Sequence, residues 1–170
     1  MTVAALYEGW GRAQTRLAAR LPLLSDEQLA VKGDGWPIWA IVAHMAGARV
    51  YWLCHVCGEP GAEQTPWVRV DAEGWEDRLD TPRGSAELLN VVETTWAIVR
   101  SCLERWTPDM LGVALTREWE GVVQHHTRQS ILTRMVMHDS FHVGEISLLL
   151  GQQGLPSLDP WEVPPAPAEA

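Results

Sequence analysis

WPIWAIVAHMAGARVYWLCHVC, residues 36 to 57, is the most apolar stretch of the chain and the one that decides its fold. Pro37 stands where a first helical turn tolerates it, and Gly58 follows the last residue. A helix that is apolar nearly all round must be covered on every side, by protein or by lipid. His44, Arg49 and His55 interrupt the stretch, and no second segment is fit to partner it as a membrane span. It is therefore read as the central helix of a bundle.

Working outward, residues 3 to 21 place Val3, Leu6, Trp10, Ala13, Leu17 and Leu21 at helical spacing, and Pro22 ends the run. Ser25-Asp26-Glu27-Gln28 reads as a capping box opening a short turn, which Gly33-Asp34-Gly35 breaks. After residue 57 comes a long connection, residues 58 to 84, with three prolines and four glycines. Little regular structure is expected there beyond a turn or two around Trp75. Connections of this length often cross a bundle or cover a site.

A third helix is predicted over 85 to 106, capped by Ser85, with a stripe of Leu88 or Leu89, Val92, Trp96, Val99, Leu103 and Trp106. Residues 110 to 126 alternate enough to permit a short hairpin, with Gly121 near its turn. The last helix is predicted from Thr127 to Gln153, capped by Gly154. Its inward stripe is Ile131, Met135, His138, His142, Glu145 or Ile146, and Leu149. The expected fold is thus all-α, a four-helix bundle over 1 to 154. The tail, 155 to 170, carries five prolines and no periodicity, and reads as an extended or disordered strap with Trp161 as the candidate pin.

The chain has 170 residues, enough for one domain with its own core. Its formal charge is −9 and it has no run of basic residues, which argues against a nucleic-acid partner and disfavours an anionic membrane. Ten tryptophans are expected mostly as core, with one or two of Trp36, Trp39, Trp52 and Trp96 lining a pocket. Three cysteines suit a reducing compartment, and the N-terminus lacks the basic-then-apolar pattern of a signal peptide. A cytoplasmic location is expected.

The chemistry concentrates in the last helix. His138 and His142 stand one turn apart on one face, at a phase where the helical period demands core. Two polar rings at core positions need a shared reason, and one metal ion within reach of both supplies it. The competing reading is a pair of core histidines bonded to backbone. His44 lies mid-helix in the apolar stretch that opened this section, and a helix packed against the last one brings its ring to the same point. Three neutral imidazoles with an open position form the donor set of a catalytic rather than a structural metal site. Cys54 and Cys57 are read as two packed thiols, with a redox dithiol as the alternative. His125 and His126 are adjacent and point apart, which argues against both serving as ligands.

These residues also carry a resemblance. The approach Trp36-Pro-Ile-Trp-Ala-Ile-Val-Ala-His44, the run His138-x-x-x-His142-x-Gly144-Glu145-Ile146, Leu149, the closing residues 151 to 156 and the segment 24 to 29 resemble the DinB-like (DinB/YfiT) four-helix bundle superfamily. The resemblance spans about residues 3 to 156. It implies an up-down-down-up bundle with a long crossover after the second helix. It also implies a divalent metal, nickel or zinc, on His44, His138 and His142. Characterised members include thiol S-transferases that use low-molecular-weight thiols, and a thiol-dependent isomerase.

Two positions depart from the family pattern. Val143 stands where a basic residue is frequent and Glu145 where a Gln is frequent, which leaves the substrate open. Glu145 is a candidate catalytic base, partner of a ligand or fourth ligand; the bland alternative is a boundary carboxylate paired with an Arg. The function expected is a metal-dependent enzyme, a thiol S-transferase in stress response or detoxification. The alternatives are a metal-dependent hydrolase or a non-enzymatic stress protein that binds metal or a small ligand. A small-molecule substrate and a homodimer complete the expectation.

Overall fold

The computed structural model of the protein describes residues 2–65 and 79–162. Trp75, around which a turn was expected, lies outside the described residues. Five α-helices appear among them: α1 (Glu8–Arg20), α2 (Asp26–Leu29), α3 (Ile38–Val50), α4 (Ser85–Arg105) and α5 (Arg128–Gln152). Two strands, β1 (Ala114–Trp119) and β2 (Val122–Thr127), pair antiparallel. The expectation of an all-α, four-helix bundle is therefore corrected.

The reason lies in two local patterns. Ser25 and Gln28 close a complete capping box, which is enough to make a separate short helix of α2. Residues 114 to 127 alternate and meet Glu120-Gly121, whose φ angles of +48° and +77° suit a two-residue hairpin turn. Side-chain hydrogen bonds from Arg117 to Gln124 across the hairpin (2.9 Å) and to the Tyr51 hydroxyl (2.7 Å) tie the sheet to the end of α3.

α3 forms where the sequence places it. Pro37 is its N-cap, and the helix widens into a π turn over Tyr51–Val56 before Gly58 leaves it at φ +70°. It packs against both α4 and α5, while α1 closes the other side against the same two helices. All but two of its thirteen residues are buried, and the two exceptions include His44. The third helix begins at Ser85, but Gly84 occupies the cap position and no side chain caps it. α5 begins on a Thr127–Ser130 capping box and ends before Gly154, at φ +71°.

The connection after α3 is anchored by Glu59, a carboxylate the sequence did not single out. It is buried and accepts hydrogen bonds from Arg105 (2.6 Å), Arg128 (3.0 Å) and the Trp106 indole (3.1 Å). One carboxylate thus joins the connection to α4 and to the start of α5. In the tail, Leu158 is buried and its N–H donates to Ser147 Oγ at 3.0 Å. The exposed Trp161 ring lies against Gly9, with the Arg12 guanidinium 5.0 Å from its centre. Residues 163 to 170 lie outside the described part. No helix among the described residues is long and apolar enough to cross a membrane.

Candidate metal centre

The buried stripe of α5 is Ile131, Leu132, Met135, Asp139, Val143, Ile146, Leu149 and Leu150. His138 and His142 lie on its flank rather than at its centre, with side chains 26% and 12% exposed. α3 faces that flank and brings His44 to it. The three rings meet with centroids 4.5 to 5.0 Å apart. One ring nitrogen from each lies within 4.8 Å of the others, and His44 Nε2 is 2.8 Å from His138 Nε2. Three histidines are therefore placed where they can hold a metal ion.

The opposite edges of two rings are held by carboxylates. His142 Nδ1 bonds Glu145 Oε2 at 2.6 Å, and His138 Nδ1 makes a longer contact of 3.4 Å with Asp139 Oδ1. A carboxylate on Nδ1 keeps the proton there and leaves Nε2 bare toward the cluster, the usual arrangement behind a metal-bound histidine. Burial lowers the pKa of His142 below the ordinary 6.5; the Glu145 bond opposes this, and His138 and His44 add to it. The net shift favours the neutral imidazole, the form a metal requires. The donor set therefore fits a divalent ion of the zinc and nickel type. Glu145, 40% exposed, has His142 as its partner among the described residues.

Sequence reasoning missed Asp139. It is 2% exposed, and its Oδ2 accepts three hydrogen bonds: from the Trp10 indole (2.8 Å), Arg49 Nε (3.0 Å) and Arg49 Nη2 (2.7 Å). Burial works against its ionisation. The Arg49 charge and the bonds from His138, Trp10 and Arg49 outweigh that and hold the carboxyl below its ordinary value. A signal was available: Arg49 in an apolar helix requires a counter-charge, and Asp139 shares its helical phase with Met135, Val143 and Ile146. The ion pair stands directly behind His138 and ties α1, α3 and α5 together.

The remaining candidates stay apart from the cluster. Cys54 and Cys57 are free and half-buried, and burial pushes their thiols up to about 11 and about 12, so neither is poised as a thiolate. His125 is exposed on β2, while His126 sets its ring edge-on to Trp52 at 5.1 Å. Trp36 stands edge-on to His44 at 5.1 Å, and Phe141 likewise to His142. Trp39 is core.

The similarity of the chain to known proteins agrees with this geometry. A crystal structure of a DinB-like protein from Bacillus cereus ATCC 10987 superposes with a TM-score of 0.63 over 92% of this chain and 95% of that one, at 18% identity. At that identity the likeness shows the fold alone. No curated protein sequence matches. The family model of the DinB superfamily matches residues 10–146, most of the chain. The protein belongs to the DinB superfamily.

Proposed function

We propose that this protein is a metal-dependent enzyme that holds one divalent ion on His44, His138 and His142 and activates a low-molecular-weight thiol for transfer to an electrophile. The observation that carries the metal is the convergence of three ring nitrogens, two of them backed by carboxylates. The partial exposure of His138 and His142 supports catalysis over a closed structural role, because a reacting ion must keep a position open to substrate. A divalent ion on three neutral imidazoles keeps both charges and lowers the pKa of a bound thiol or water. The choice of thiol over water rests on the family resemblance.

The chain's own groups have distinct tasks in this reading. Asp139, fixed by Arg49 and Trp10, positions His138. Glu145 positions His142 through Oε2 and holds the Nδ1 proton, which leaves Nε2 free to face an ion. Trp36 forms an apolar wall beside His44 and suits the body of an organic electrophile.

Elemental analysis of untagged protein, purified without chelator, tests the centre. About one ion per chain is expected, and none in a His138→Ala, His142→Ala variant. The loaded protein is then assayed with a small thiol and a chromogenic electrophile. Absence of metal from both proteins, even after nickel, zinc or manganese is supplied, would sink the proposal. Hydrolysis of an activated ester without thiol transfer would replace the transferase with a hydrolase.

A homodimer belongs to the same proposal. Met137, Phe141 and Leu148 are exposed along one side of α5, with Gly144 between them, an apolar stripe suited to a second copy. Sedimentation velocity is expected to give a species of twice the chain mass, and Phe141→Glu to give the monomer. A wild-type monomer at all concentrations refutes it.

A further inference from the structure

A small cavity of about 30 Å³ lies beside His138, walled by Arg49, Trp52, Arg134 and Asp139 among others. It has room for an oxygen-sized group, since about 10–15 Å³ open to a water-sized sphere is enough to hold one water. Arg49 is 1% exposed and spends Nε and Nη2 on Asp139, yet its Nη1 is buried with no acceptor. A buried guanidinium N–H without a partner is unfavourable, so an acceptor not supplied by the described residues is wanted there. Arg134 stands one turn before His138 on α5. Its guanidinium lies 4.9 Å from the Trp52 ring centre, and no carboxylate among the described residues bonds it. The Arg117 guanidinium covers the same ring at 4.7 Å.

Asp139 neutralises Arg49, and among the described residues no carboxylate pairs with the exposed Arg134 at the cavity wall. In a chain of net charge −9 this is a local reversal of sign next to the candidate metal centre. We propose that the cavity receives one oxygen of a carboxylate carried by the substrate, with Arg49 Nη1 donating from inside and Arg134 from the solvent side. The substrate class is then an organic acid whose carboxylate lies against Arg134 and Trp52 while its reacting atom faces the three histidines. The inference rests on the three-histidine reading for its reaction but not for its anion.

The test is acetate binding, followed by calorimetry and by the indole N–H resonance of Trp52. It uses the full chain as purified and after chelator treatment, at constant ionic strength with chloride as the balancing anion. Saturable binding in both forms, at least 10-fold weaker in Arg134→Gln and partly kept in Arg134→Lys, is the expected result. The same pattern in a protein that takes up no metal leaves the anion seat standing and removes only the metal reading. Binding confined to the metal-loaded form and unchanged by Arg134→Gln makes acetate a ligand of the ion and overturns the seat. No binding in either form, or equal competition by chloride, also overturns it and leaves the cavity to a water molecule.

Discussion

Replacing Asp139 by Leu is expected to cost about 3–5 kcal/mol of folding stability, because it strands the buried Arg49 charge. Both side chains are almost wholly removed from bulk solvent, at 2% and 3% exposed. The same change leaves the Trp10 indole N–H without its acceptor. The companion variant separates charge from shape. Arg49→Met with Asp139→Leu removes both charges, and most of the loss should return, since a buried ion pair is often no better than apolar residues of similar volume. Urea unfolding of the metal-free protein measures both. Costs that simply add, with the double variant worse than either single one, would show that the two residues do not act as a pair.

The pH dependence has a definite sign. Asp139 has a folded pKa below its unfolded one. Its contribution is therefore fully present above the ordinary carboxyl range and lost as pH falls through the lowered folded value. The gap between wild type and Asp139→Leu should close in acid and stay open at neutral pH.

The second large effect is stabilisation by metal. An ion that binds only the folded chain adds about 4 kcal/mol when its free concentration is 1,000 times its Kd. That gain should appear in the wild type with nickel or zinc and vanish in the His138→Ala, His142→Ala variant. Without metal the order should invert for His138→Leu, because a half-buried polar ring gives way to an apolar side chain. Higher stability without metal and lower stability with it is the signature of residues kept for a site rather than for the fold. Equal shifts in wild type and variant would mean that the ion binds elsewhere. No shift in either would leave the histidines as packing.

The positions that carry these effects differ in how far the sequence reveals them. The helical phase of His138 and His142 follows from a spacing of four, and the limits of α5 follow from Thr127 and Gly154, because helix periodicity and caps are local physics. The burial of α3 follows from its composition, since a helix apolar on every face has no side to show to water. Local alternation permitted the hairpin without requiring it. The sequence placed Gly121 near its turn, while the contact of Arg117 with Tyr51 that ties the hairpin to the end of α3 appears only in the structure.

By itself, then, the sequence determined a buried central helix, a histidine pair one turn apart and a net charge of −9. Only the tertiary structure decided that His44 meets that pair, that Asp139 neutralises Arg49 from 90 residues away, and that Glu145 touches His142. The reason is physical. Periodicity fixes the direction of a side chain about its own helix axis. Which residue waits there is set by how α3 and α5 pack, and their sequences, read separately, do not encode each other's register.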